Sequence, residues 1–257
     1  SRMIQIKGLS KSFGKKPVVE NVSLTIEPKK ITSFIGPNGA GKSTLLSMVS
    51  RLLNADTGEV LLDQTDVKKM KSNEFAKRVA ILKQANHINV RLTVRELVSF
   101  GRYPYSKGRL NAEDEKIVDQ AIEYMNLGDM QDKFLDELSG GQKQRAFISM
   151  VIAQDTEYIL LDEPLNNLDM KHSVQIMKIL RQLVDELGKT VVIVLHDINF
   201  ASVYSDRIVA LKDGRLVKDG PTSEIITSES LREVYDMHIP VQEQDGCRIC
   251  VYFNSHN

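Results

Sequence analysis

The stretch Ile31-Thr32-Ser33-Phe34-Ile35-Gly36-Pro37-Asn38-Gly39-Ala40-Gly41-Lys42-Ser43-Thr44 decides how the chain is read. Ile31–Ile35 has the composition of a short apolar strand, and helical spacing runs from Lys42 to about Leu52. Between them, Gly36 to Ser43 fits G-x-x-x-x-G-K-[ST]. Glycines let backbone N–H groups turn inward around phosphates, and a helix N-terminus adds the positive end of its dipole. Lys42 is placed to reach the β- and γ-phosphates, and the Ser43 hydroxyl to ligate Mg²⁺. A chance glycine turn is the alternative, but it has no need of a strand before it and a helix after.

Two further segments extend the reading. Tyr158 to Leu161 is an apolar strand that runs into Asp162-Glu163-Pro164. Beside a phosphate loop, Asp162 is expected to hold Mg²⁺ through water and Glu163 to polarise an attacking water as general base. Alone, the pair would be an acidic turn. Leu138-Ser139-Gly140-Gly141-Gln142 offers a hydroxyl and backbone donors at the start of a helix. It reads as a helix cap and also as a second phosphate face. With one phosphate loop per chain, that face suggests ATP held between two chains.

Around these segments, Ile4 and Ile6 alternate with polar neighbours, as do Val22, Leu24 and Ile26, and Glu59–Leu62 and Val79–Leu82 read as strands. After Gln84 the texture turns helical. Thr93 and Glu96 form a capping-box pattern, and Ile117, Val118, Ala121, Ile122 and Met125 share a helix face capped by Asn111. Another helix is expected from Ser139 through Ala153. Strand and helix alternation then returns: a helix through Val174–Leu187 stopping at Gly188, a fully apolar strand Val191–Leu195, and a hairpin turning at Asp213-Gly214. Residues 1–84 and 156–257 are thus expected to form the core, and 85–155 an inserted helical lobe.

Composition narrows the function classes. The 257 residues carry 34 Lys plus Arg and 34 Asp plus Glu, a formal charge of zero, so a strong basic field for nucleic acid is absent. The apolar stretches Ala146–Ala153 and Val191–Leu195 are too short to span a bilayer. Two cysteines fit a reducing cytosol rather than a disulfide scaffold. No signal peptide opens the sequence, and Ser1-Arg2 ahead of Met3 reads as a vector remnant. Cys247-Arg248-Ile249-Cys250 is a lone C-x-x-C on an expected strand, where residues three apart face opposite sides. Packing explains it better than metal or redox chemistry.

Taken together, the phosphate loop, the Leu-Ser-Gly-Gly-Gln segment and the Asp-Glu strand end resemble, in kind and order, the ATP-binding subunit of an ABC transporter over essentially the full chain. The resemblance implies an α/β P-loop ATPase core with an antiparallel β subdomain and an inserted helical lobe. It implies ATP and Mg²⁺ bound by Gly36, Pro37, Asn38, Gly39, Ala40, Gly41, Lys42, Ser43 and Thr44, with Ser139, Gly140, Gly141 and Gln142 serving the ATP of a second copy. Gln84 resembles the Q-loop glutamine that approaches Mg²⁺. Asn166-Asn167-Leu168-Asp169 resembles the D-loop, with an Asn pair where Ser-Ala is more usual. His196 resembles the switch histidine at the γ-phosphate. Phe13 resembles the aromatic that stacks on adenine, where Tyr is more usual.

Leu92 to Val98 followed by Gly101-Arg102-Tyr103-Pro104, with Leu195-His196-Asp197-Ile198-Asn199, is similar to the ATPases of iron–siderophore, haem and cobalamin importers. This implies ferric siderophore import, with haem or cobalamin as alternative cargo. Membrane permease subunits, an extracytoplasmic binding protein and an ATP-dependent second copy are the expected partners, and the cytoplasmic membrane face the location, held peripherally. Residues 84–105 are expected to dock the permease through Leu92, Tyr103 and Tyr105. A soluble ATPase acting on ribosomes or DNA is the rival from another class. Such proteins usually carry two cassettes or basic extensions, and no nucleic-acid partner is expected.

Overall fold

The computed structural model describes residues 3–84 and 88–254. Ser1-Arg2 and positions 85–87, where the helical lobe is expected to begin, lie outside the described residues. A four-stranded antiparallel sheet is ordered β2–β1–β4–β5, from β1 (Ile4–Phe13), β2 (Lys16–Ile26), β4 (Thr57–Leu62) and β5 (Thr65–Asp66). The alternation at Ile4, Ile6, Val22, Leu24 and Ile26 puts all five on the buried face.

The larger sheet is ordered β10–β9–β3–β8–β7–β6. Its strands are β3 (Ile31–Ile35), β6 (Val79–Leu82), β7 (Tyr158–Asp162), β8 (Thr190–Val194), β9 (Arg207–Lys212) and β10 (Arg215–Pro221). Neighbours from β9 to β6 run parallel, and only the edge strand β10 is antiparallel. Every residue of β3 and β8 is buried, as a strand covered on both faces requires. Each face of this sheet feeds a separate hydrophobic cluster. One cluster includes Phe34, Leu160, Val192 and Val194 with the antiparallel sheet; the other includes Ile35, Leu161, Val191 and Ile193 with helices.

The helices follow local sequence rules. α1 (Lys42–Val49) ends earlier than its spacing predicts. Arg51 takes a left-handed φ of 67°, and the N–H groups of Leu52 and Leu53 both turn back to Ser47 O. α2 (Ser72–Ala76) precedes β6. Between β6 and β7 come α3 (Val94–Ser99), α4 (Tyr103–Ser106), α5 (Ala112–Tyr124) and α6 (Gly140–Ala153). Thr93, Asn111 and Ser139 each close a capping box on α3, α5 and α6.

α7 (Met170–Asp185) buries Ile176, Met177, Leu180, Leu183 and Val184 at helical spacing and is capped by Asp169. Gly188 follows with φ 67° and donates to Val184 O at 3.1 Å, but Leu187 is half exposed and leaves the buried stripe. α8 (Ile198–Tyr204), α9 (Thr222–Ile225) and α10 (Ser228–Tyr235) lead to a hairpin of β11 (Val241–Gln244) and β12 (Cys247–Cys250). Cys250 is fully buried in the helix-side cluster, and burial with Asp197 nearby pushes its thiol up to about 11, as the packing reading requires.

One expectation needs correction. Leu92 is not a surface contact. It is 8% exposed and belongs to the core with Leu135 and Phe147, while Tyr103 is 59% exposed. Tyr105 is partly exposed, but its hydroxyl donates to Gln154 O at 2.9 Å.

Candidate nucleotide site

The loop from Gly36 to Gly41 leaves the C-terminal end of β3 and enters α1. Gly36 has φ 147°, and a Cβ there would lie 2.1 Å from Leu211 O on β9, so only glycine fits this approach. Ala40 N–H donates to Pro37 O at 3.1 Å, and Gly214 N–H donates to Ala40 O at 3.0 Å. Gly214 O in turn accepts from Glu20 N–H at 2.8 Å. The β9–β10 turn therefore braces the loop from behind, a role that the two-residue hairpin signal did not reveal.

Inside the loop, Lys42 Nζ donates to Gly36 O. Burial lowers the Lys42 ammonium pKa, while Glu163 and Asp162 oppose that shift. Ser43 Oγ donates to Asp162 Oδ1 at 2.8 Å. Burial raises the Asp162 carboxyl, against the Ser43 bond and the nearby His196 and Lys42. A hydroxyl and a carboxylate side by side at a phosphate loop form a hard-oxygen donor set suited to Mg²⁺.

Glu163 follows β7 with a left-handed φ of 49°, uncommon for a residue with a side chain. Its N–H donates to Val194 O at 3.1 Å, which locks the turn to the end of β8. The Glu163 side chain is buried, and its Oε1 lies 2.7 Å from His196 Nε2, whose side chain is half exposed. His196 follows β8 by two residues. Two adjacent parallel strands thus deliver a carboxylate and an imidazole to one point, beside the Ser43–Asp162 pair.

The other expected residues lie apart from this cluster. Phe13 ends β1 with 52% exposure and Lys11 Nζ 5.5 Å from its ring centroid, so it is no core aromatic. Gln84 is exposed two residues beyond β6. Ser139 and Gly140 are exposed at the N-terminus of α6, where Ser139 Oγ accepts from Gln142 N–H at 3.2 Å. Gly141 is buried: a Cβ there would lie 2.1 Å from His172 Cδ2. His172 Nδ1 is 2.8 Å from Asp169 Oδ1, which also accepts from His172 N–H at 2.9 Å. Gln144 Nε2 donates to Pro164 O at 2.8 Å. Neither His172 nor Gln144 carried a sequence signal, since each acts through a partner distant in the chain.

A family model described as "ABC transporter" matches residues 19–166, more than half of the chain. The chain belongs to the ABC transporter family. As an ABC ATPase it hydrolyses ATP for transport. It is 64% identical to the petrobactin import ATP-binding protein YclP of Bacillus subtilis (strain 168), across 98% of this chain and 100% of that one. It is 40% identical to the ferric enterobactin transport ATP-binding protein FepC of Escherichia coli (strain K12), across 89% of this chain and 85% of that one. Among solved structures, the dimeric ABC transporter cassette MJ0796 superposes with a TM-score of 0.76 at 32% identity, covering 86% of this chain and 99% of the other. Among the described residues of this ABC ATPase, no helix is long and apolar enough to cross a membrane.

Proposed function

We propose that this ATPase powers import of a ferric siderophore of the petrobactin type across a bacterial cytoplasmic membrane, from a peripheral position on its cytoplasmic face. The 64% identity to a petrobactin import ATP-binding protein, end to end, is the observation that carries the cargo. Permease subunits are the partners that cross the membrane, with an extracytoplasmic siderophore-binding protein acting through them.

In this reading residues 85–155 form the signature-bearing lobe, and Phe13 stacks on adenine. Gly36 to Thr44 wrap the phosphates with backbone N–H groups, and Lys42 transfers its ammonium from Gly36 O to the β- and γ-phosphates. Ser43, Asp162 and Gln84 would hold Mg²⁺, which when bound neutralises phosphate charge. Glu163 accepts the proton of the attacking water, and His196 orients the γ-phosphate. Ser139 to Gln142 of a second copy close the far side of the same triphosphate, so each dimer holds two ATP molecules. Closure around them moves the permease between states, and hydrolysis reopens the dimer.

The test is uptake of radioactive iron bound to petrobactin by cells lacking this chain. Wild-type protein restores uptake and Lys42→Ala does not. Restored uptake of haem or cobalamin instead of the siderophore would reassign the cargo.

A further inference from the structure

We propose that Asn199 is a positioning residue that fastens the C-terminal hairpin β11–β12 to α8 and thereby sets His196 against Glu163. The inference rests on the proposed role of His196 in ATP hydrolysis. It goes beyond that role by assigning a task to the strand pair β11–β12, which lies outside the 19–166 stretch that defines the family match.

The Asn199 side chain pairs with one main-chain unit at both ends. Cys250 N–H donates to Asn199 Oδ1 at 2.7 Å, and Asn199 Nδ2 donates to Cys250 O at 3.3 Å. A primary amide facing a peptide group in this way imitates a neighbouring strand. Ser202, one turn further along α8, donates to Arg248 O at 2.7 Å. The Arg248 guanidinium donates to Ser223 O at 2.8 Å and Ile226 O at 3.0 Å. The hairpin is thus stitched to α8 on one side and to the α9 region on the other. β11 is largely exposed, so its hold on the molecule is concentrated in β12, where Cys250 is fully buried.

The hairpin bonds are one of three holds on this helix: Ile198 and Ala201 sit in the core, and Arg181 donates to Tyr204 O at 2.9 Å. α8 has seven residues, too few to be stable alone. Its cap, Asp197, accepts from Asn199 N–H at 2.7 Å and from Phe200 N–H at 3.3 Å. Asn199 is therefore bonded through its backbone to the residue next to His196 and through its side chain to β12. His196 itself is half exposed, and its Nε2 lies 2.7 Å from Glu163 Oε1. The orientation of such a side chain depends on where β8 ends and where α8 begins. Freeing α8 from the hairpin loosens one of those two anchors.

The test is a double-mutant cycle on the purified full-length chain, with ATP turnover and ADP affinity measured for each protein. Asn199→Ala removes both side-chain bonds and is expected to lower kcat about 5–20-fold while ADP affinity stays within twofold of wild type. In a His196→Ala background, whose residual turnover is followed with radiolabelled ATP, the same substitution changes kcat by less than twofold. Asn199→Asp keeps the acceptor for Cys250 N–H and gives an intermediate loss. Ser202→Ala, which removes only the bond to Arg248 O, gives the same dependence on His196 at smaller size, and it carries the test if Asn199→Ala does not fold. Equal losses with and without His196, or ADP affinity falling in step with kcat, overturn the inference alone. A His196→Ala protein with wild-type turnover overturns the role of His196 and the inference with it.

Discussion

Ser43 and Asp162, 119 positions apart, meet through a hydrogen bond of 2.8 Å from hydroxyl to carboxylate. That contact joins the start of α1 to the end of β7. Asp162→Asn keeps its size but removes the negative charge. Its expected effect is a 10–100-fold higher Mg²⁺ requirement, the usual cost of losing an outer-sphere carboxylate. Titrating ATPase activity with Mg²⁺ checks this, and an unchanged half-maximal concentration removes Asp162 from the metal site.

Glu163→Gln keeps the shape of the side chain and removes the base, a loss of roughly 10²–10⁴ in rate. The protein should then accumulate as an ATP-bound dimer on size-exclusion chromatography. Adding Ser139→Arg should return it to monomer, because Ser139 is exposed at the tip of α6. A tightly ATP-binding Glu163→Gln monomer, with its membrane partner present, counts against the two-chain site.

Phe13 presents an open ring. Phe13→Ala should weaken ATP binding by about 1–3 kcal/mol, the usual value of one base–aromatic stack. Phe13→Tyr should bind as wild type does. Fluorescent nucleotide titration distinguishes the two, and equal affinity in all three proteins ends the stacking role.

Arg102 and Asp114 form a buried pair, Nε to Oδ1 at 2.9 Å, and Arg102 also donates to Ala153 O. Burial pushes the Asp114 carboxyl upward, but the Asn111 N–H and the Arg102 guanidinium hold it below the ordinary range. Its contribution is therefore full above the unfolded carboxylate pKa of about 4 and fades as pH falls through the lower native value. Asp114→Ala leaves a buried guanidinium unpaired and should cost about 3–5 kcal/mol at pH 7. Denaturant melts at pH 7 and pH 3 should show the gap from wild type narrowing in acid; a constant gap refutes the pairing account.

Leu92 and Tyr103, close in sequence, should behave oppositely. Leu92→Ala opens a core cavity at a cost of about 2–5 kcal/mol, whereas Tyr103→Ala on the surface should stay within about 0.5 kcal/mol. Thermal melts check both. Cross-linking from Tyr103 to the permease then tests the docking segment on a residue whose loss does not unfold the lobe.

Local rules made much of this molecule legible. The glycine loop, the helix caps at Thr93, Asn111 and Ser139 and the apolar run Val191–Leu195 each depend on residues within a few positions of one another, so their sequence patterns survive into structure. Leu92 was misplaced because a lone leucine after a loop has no periodicity to reveal which way it faces. The brace from Gly214 to Ala40, the His172 ring over Gly141 and the Asn199–Cys250 pairing were invisible for another reason. Each joins segments that only the tertiary fold brings together, and each uses a residue type common at surfaces.

The brace behind the phosphate loop has a thermodynamic consequence. Ordering a residue's backbone costs about 1–2 kcal/mol. Here the bonds among Pro37, Ala40, Gly214 and Glu20 have already fixed the loop when the chain folds. A nucleotide arriving at Gly36–Ser43 meets a rigid receptacle and need not shape one. In the proposed binding mode its affinity is spared that ordering penalty, and the lysine ammonium leaves Gly36 O for the phosphates.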